Sequence, residues 1–239
     1  MSSQPRSQRR GQRPAARRAK LSRNRLAAAA LALIDRDGLE ACSTRKLGAA
    51  LGVEAMAIYH HFPSKERLLD AVAERLLAEM ALPPPDGDWI GWLRGAAHAY
   101  RAIAKRHPNA FVLLAMRRFT TPSLFALLET WFGVLRRAGF DPATTARIFR
   151  TIGYFTNGAG LADVATRAAA DDPQRRTPLD DFRDDVSLPH VAAVAPHLRQ
   201  GALDGIFSFG LELLLADFAR LPKAAPPAPR RRKPRESHP

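Results

Sequence analysis

The stretch from Ser43 to Lys65 constrains this chain more than any other, because glycine and proline cut it into helices too short to stand alone. The spacing predicts a helix over 45–51, capped by Thr44 and stopped by Gly52. A second follows over 55–60 and is stopped by Pro63. Helices of two turns or so are marginal in water, so each must lean on a neighbour. Leu47, Leu51, Val53 and Ile58 are spaced to lock the pair together. Two short helices joined by a glycine-bearing turn make a helix-turn-helix, whose second helix can enter a DNA major groove. Helix, glycine, helix is by itself a weak pattern. Thr44 as cap, Tyr59 shortly before Phe62, and Ser64, Lys65 and Glu66 opening the next helix sharpen it.

The remainder also reads as helix. Val and Ile are sparse, Ala, Leu and Arg are abundant, and no segment alternates apolar with polar, so the fold class is all-α. A helix over 23–35 carries Leu26, Leu33 and Ile34 on one face and ends at Gly38. Ser64 caps a helix that runs to about 80 through Leu68, Val72 and Leu76. Pro83, Pro84 and Pro85 with Asp86 and Gly87 form the clearest break. Beyond it, Trp89, Trp92, Leu93, Ala96, Tyr100 and Ile103 recur at helical spacing over 88–106. Shorter helices are expected over 108–117 and 122–138, and a long one from Pro142 to about 170. The polar segment 171–188 reads as a loop, and a last helix covers 201–220.

Charge narrows the function classes. The net charge is +14, yet residues 26–221 hold equal numbers of acids and bases. The excess lies in residues 1–25, with Arg6, Arg9 and Arg10 among its bases, and in residues 222–239, with Arg230, Arg231 and Arg232. Both ends are poor in large apolar residues and are expected to be disordered, serving either as solubilising tails or as cationic arms toward phosphates. Cys42 is the only cysteine, which excludes an intrachain disulfide and suits a reducing compartment. No uncharged apolar stretch approaches the roughly 18 residues of a membrane span. A cytoplasmic protein is expected.

Residues 22–80 resemble the DNA-binding domain of the tetracycline-repressor (TetR) family. The resemblance is carried by Thr44, Arg45, Lys46 and Leu47; by Leu51, Gly52 and Val53; by Ile58, Tyr59, His60, His61 and Phe62; and by Lys65, Glu66, Arg67, Leu68 and Leu69. A weaker resemblance to the tetracycline-repressor C-terminal domain extends over Trp89 to Tyr100 and Arg136 to Phe140. It implies a transcriptional repressor that acts as a homodimer, binds a palindromic operator in double-stranded DNA and is released by a small effector. The domains are then a disordered basic arm (1–21), a helix-turn-helix domain (22–82), an effector-binding and dimerisation domain (83–221) and a disordered basic tail (222–239).

The resemblance places Thr44, Arg45, Ala55, Met56, Ala57, Tyr59, His60 and Lys65 at the DNA. Arg45 can fork to a guanine edge or hold a phosphate. Ala55, Met56 and Ala57 make no bidentate hydrogen bond; they can touch thymine methyls or merely fill surface. Tyr59 and His60 carry donors suited to phosphate, with packing as the alternative. Lys65 sits where helix N–H groups already attract an anion.

In the second domain Trp92, Tyr100, Phe111, Met116, Trp131 and Asn157 are the candidate effector contacts, each of them equally at home in a core. His107 and Thr156 are further polar partners. An apolar or aromatic effector suits such a set. In the family, a drug-chelated magnesium is held by a histidine and oxygen ligands. Those positions fall here on Leu113 and near Met116, neither of which ligates Mg²⁺, so no metal and no cofactor is expected. A four-helix dimer interface built from 142–170 and 201–220 is expected, with Gly153, Gly158, Gly160, Gly205 and Gly210 allowing close approach. Two other classes remain. An all-α enzyme would need a catalytic motif, and none is present; Asp163, Asp171 and Asp172 read as a helix end and loop. An architectural DNA binder would have no effector pocket.

Overall fold

The computed structural model describes residues 21–116, 121–170, 187–198 and 203–223, and these form helices throughout. They are α1 (Arg23–Asp37), α2 (Thr44–Leu51), α3 (Ala55–Tyr59), α4 (Lys65–Ala78), α5 (Trp89–Arg106), α6 (Pro108–Met116), α7 (Pro122–Arg137), α8 (Pro142–Ala170), α9 (Pro189–Val194) and α10 (Leu203–Arg220). Of the two charged ends expected to be disordered, only residues 21–25 and 222–223 are described, and most of the segment expected to be a loop also lies outside the described residues.

Side-chain caps set most helix starts. Ser22 accepts from the Arg25 amide, Ser64 from Arg67, Asp88 from Ile90 and Gly91, and Thr121 from Leu124. One assignment changes. The cap of α2 is Ser43, whose Oγ accepts from the Lys46 amide at 3.2 Å, and Thr44 is the first helical residue. Either residue offers a hydroxyl, and the cap goes to the one whose backbone is still extended. Gly38 and Gly52 close α1 and α2 at positive φ. The short α9, followed by one 3-10 turn over Ala195–His197, stands at the end of the segment expected to be a loop.

Two buried clusters hold the chain together, and the line between them runs through α5 rather than through the proline break. One joins Leu26, Ile34, Leu47, Ile58, Phe62 and Val72 of α1–α4 to Ile103 and Ala104 at the end of α5 and to Ala110, Phe111, Leu113 and Leu114 of α6. The other gathers Trp92, Leu93 and Ala96 of the first half of α5 with Trp131, Leu135, Phe140, Ile148, Ile152, Phe207 and Leu211. The helix-turn-helix therefore shares its core with α6. Close approach is visible at Gly160, where an added Cβ would lie 2.4 Å from the Phe111 ring, and at Gly210, 2.8 Å from Phe155. Those two glycines thus serve packing inside the chain rather than approach between protomers.

Polar side chains tie the second cluster down. Arg101, almost fully buried, forks to Asp163 at 2.6 and 2.7 Å and reaches Asp204 at 2.9 Å, joining α5, α8 and α10. Asp163, read above as part of a helix end, is thus an internal counter-ion; Asp171 and Asp172 lie outside the described residues. Lys223 is no free tail charge either. It donates to the Ala138 carbonyl at 2.7 Å and lies over the Phe140 and Trp89 rings, where burial pulls its pKa down.

The tightest point of the helix-turn-helix is Gly48, buried in α2, where an added Cβ would lie 2.7 Å from the backbone oxygen of Val53. Alanine is the better helix former by about 1 kcal/mol, but overpacking against a backbone that cannot swing aside costs about 1–3 kcal/mol. Gly48→Ala is expected to lower the unfolding free energy by a net of up to about 2 kcal/mol, read from the urea midpoint at unchanged m-value.

Candidate DNA-reading surface and ligand cavity

The first candidate site is built on α2 and α3. Leu47 and Ile58 are buried and set the two helices against each other, while Arg45 and Lys46 stand exposed on α2. On α3, Met56 is 66% exposed and Tyr59 45%, with Ala55 and Ala57 half-buried beside them. A methionine that exposed on so short a helix has no packing role in the monomer. His60 is exposed just past α3; Lys65, half-buried, is the first residue of α4; and Thr44 is half-buried at the start of α2. Phe62 is buried, so its role is core.

One positioning residue escaped the sequence reading. Arg23, counted there only as arm charge, donates to the His61 carbonyl and lies over the Phe62 ring at 4.2 Å. It ties the chain leaving α3 back onto α1. Its only sequence signal was an arginine one residue after the Ser22 cap, facing an aromatic far along the chain. Cys42 is buried, and that burial pushes its thiol pKa up, with Lys65 opposing weakly; the thiol is a poor nucleophile.

The second candidate site is a cavity of about 510 Å³ enclosed by α4, α5, α6, α7 and α8. Its walls include Leu77 and Met80 from the end of α4, Tyr100 from α5, Leu114 from α6, Leu127 and Trp131 from α7, and Phe149, Ile152 and Asn157 from α8. Of the six candidate effector contacts, Tyr100, Trp131 and Asn157 come together here. The other three do not. Trp92 is buried behind the wall, edge-on to Trp131 at 4.8 Å, with its indole N–H donating to the Pro83 carbonyl. Phe111 is fully buried against Tyr100 and under Gly160. Met116 is 76% exposed and points away. Helical spacing gives the face of a residue and not its depth: Trp92 and Phe111 lie too deep, and Met116 stays in solvent. Leu77 and Met80 were not among the candidates: the helix over 64–80 was expected to meet the second domain, but not to wall its cavity.

Inside the cavity the Tyr100 hydroxyl donates to Asn157 Oδ1 at 2.7 Å, and burial pushes the phenol well above its ordinary range. Thr156 Oγ1 is spent on the Ile152 and Gly153 carbonyls. The family's chelated magnesium does not fit here. No histidine or carboxylate is among the lining residues, Leu113 is buried, and no cluster of three His, Cys, Asp or Glu side chains occurs among the described residues.

His107, expected as an effector partner, stands between the two sites instead. At the α5–α6 junction, Nδ1 meets Asp35 Oδ2 at 2.7 Å and Nε2 meets Glu79 Oε2 at 3.0 Å. A neutral ring can donate to one of these carboxylates and the imidazolium to both. Asn109 adds a bond to the Asp35 carbonyl, and Arg106 reaches Glu79. The end of α1 and the end of α4 are thereby pinned to one imidazole.

Comparison with known proteins returns matches over both sites. Residues 26–72 match the model described as bacterial regulatory proteins, tetR family, and residues 82–220 the tetracyclin repressor-like C-terminal domain. The tetracycline repressor protein class G of Vibrio anguillarum is 30% identical over 84% of this chain and 95% of that protein. A solved structure of a possible TetR family transcriptional regulator from Streptomyces coelicolor A3(2) superposes with TM-score 0.68 at 33% identity, covering 83% of this chain and 99% of that one. A TetR variant from Acinetobacter baumannii AYE in complex with minocycline superposes with TM-score 0.64 at 30% identity, covering 84% and 98%.

Removing the imidazole leaves two carboxylates facing each other, one of them with an oxygen, Asp35 Oδ1, already buried without a partner. His107→Ala is expected to lower the unfolding free energy by about 1–3 kcal/mol, measured by urea titration at neutral pH.

Proposed function

The chain belongs to the TetR family of bacterial transcriptional regulators, and we propose that it is a repressor released from a palindromic operator when a small apolar molecule fills the α4–α8 cavity. The observation that carries this reading is the cavity wall itself. Leu77 and Met80 line it from the end of α4, while Leu68, Leu69, Val72 and Leu76 of the same helix belong to the core that holds α1–α3. A molecule that pushes on Leu77 and Met80 therefore pushes on the seat of the DNA-reading helices.

TetR-family regulators act on DNA as dimers. Two recognition helices reading successive half-sites must lie about 34–36 Å apart. A ligand whose preferred conformation lacks that spacing weakens operator binding by its differential affinity, about 1–3 kcal/mol in ordinary allosteric systems. The partner-facing surface is assigned to α8 and α10, which leave Tyr154, Leu161, Phe209 and Leu213 exposed along one pair of helices. Gly158 and Gly205 carry nothing within 4 Å of where a Cβ would be. A bundle of four helices, two from each protomer, would cover that apolar area.

At the DNA, Arg45 is the proposed base reader, Met56 with Ala55 and Ala57 the apolar contacts to thymine methyls, and Thr44, Tyr59, His60 and Lys65 the phosphate contacts. Arg45→Ala is expected to relax selection at one guanine of each half-site by about 1–3 kcal/mol, read by selection from a random duplex pool. Uniform weakening over all sequences would make Arg45 a phosphate contact. The family's regulators are generally not enzymes, and catalysis is not proposed. A purely architectural DNA binder would have no use for a cavity against α4.

Gly153 lines the cavity with nothing within 4 Å of its missing Cβ, so the first carbon of a side chain there meets no clash. Gly153→Leu is expected to gain up to about 1 kcal/mol of helix stability and to lose the fluorescence rise of the neutral dye Nile red expected with the parent protein. Equal dye binding by both proteins would place the ligand elsewhere.

A further inference from the structure

The cavity is apolar on every side but one. At the exception, Tyr100 and Asn157 meet from opposite helices, and their single hydrogen bond orients the amide. The Tyr100 hydroxyl is the donor and Oδ1 the acceptor. That leaves the Asn157 Nδ2 protons without an acceptor among the described residues, in a wall whose only other polar group, Thr156, is bonded to its own helix. Trp131 and Phe149, edge-on to each other at 5.6 Å, face the same space. No charged side chain among the described residues lines it.

Resting on the reading of this cavity as the effector site, we propose that its ligand is a neutral, largely aromatic molecule bearing a carbonyl oxygen that accepts a hydrogen bond from Asn157 Nδ2. Each part has its own cause. The aromatic part follows from the Trp131 and Phe149 rings and the surrounding leucines, which favour π surface and offer nothing to a polar one. Neutrality follows from the absence of a lining cation or anion among the described residues, since a charge brought out of water here would have no partner among them. The acceptor follows from the open N–H pair. A hydrocarbon would bury those donors unpaired, a hydroxyl could accept only by leaving its own proton to be placed, and a ketone or quinone oxygen satisfies them directly. Asn157 is thus a specificity-determining residue and Tyr100 the residue that positions it.

Three probes on one tricyclic skeleton separate these terms: 9-fluorenone, fluorene and fluorene-9-carboxylate, titrated into the full-length protein by calorimetry. The ketone is expected to bind about tenfold or more tighter than the hydrocarbon, with the carboxylate weakest. In Asn157→Leu the ketone and hydrocarbon should bind alike, with fluorene no weaker than in the parent protein. Tyr100→Phe, which keeps the packing and releases the amide, should show a reduced ratio even if Asn157→Leu does not fold. Equal binding of ketone and hydrocarbon to the parent protein, a ratio that survives both substitutions, or tightest binding of the carboxylate would each overturn the proposal while leaving the cavity a ligand site. Failure of all three probes and of Nile red to bind would overturn both.

Discussion

The packing of α1 and α4 against α6 is the constraint on which the rest of the structure depends. Alone, α1–α4 would be a small unit built on short helices, two of them unable to persist without neighbours. Its apolar residues do not close on themselves. They run on into Ile103, Ala104, Ala110, Phe111, Leu113 and Leu114, so the core that supports the DNA-reading helices is completed by the sensor half. Such a core does not deform smoothly, because interiors packed to crystal density shift between discrete arrangements. In the proposed mechanism a change at the cavity would pass to α2 and α3 as a displacement of α4, without a dedicated wire.

Polar groups reinforce the seam and keep its register. His107 holds the ends of α1 and α4 from the α5–α6 junction, and Arg23 holds the exit of α3 to α1. In the other half, Arg101 sits among Asp163 and Asp204 with its guanidinium over Phe207 at 4.5 Å. An arginine buried so deeply is tolerated because both carboxylates are within reach; removing Asp163, its buried bidentate partner, would leave only the exposed Asp204 to compensate it. This network fixes α10 against α5 and α8 and so sets the apolar surface assigned to the partner protomer.

Much of this was legible in the residues. Gly38, Gly52, Pro63 and the three prolines at 83–85 marked real ends, and the spacing of Trp89, Leu93, Ala96 and Ile103 described the buried face of α5 correctly. What escaped has two physical sources. Periodicity reports which face of a helix a residue occupies and says nothing of depth. Trp92 and Phe111 therefore looked like cavity walls and proved to be the layer behind, and Met116 lay past the rim. Interactions between residues far apart in the chain leave no local trace. Arg23 on Phe62, Asp163 on Arg101 and His107 between Asp35 and Glu79 each join segments tens of residues apart, and each residue taken singly looked like solvated charge or a polar lining group. The role of Leu77 and Met80 was hidden for the same reason, since it depends on α7 and α8 closing over them.

Native-state hydrogen exchange in low urea tests the shared core most directly. Amides at the centre of α1, near Ala30 and Leu31, and at the centre of α4, near Val72, are compared with the Leu113 amide on α6. A common core predicts that all of these amides open together, with the same free energy and the same urea dependence. Opening of α1 and α4 several kcal/mol below α6, with a smaller urea slope, would show that the helix-turn-helix unfolds as an independent unit, and the coupling described here would have no physical carrier.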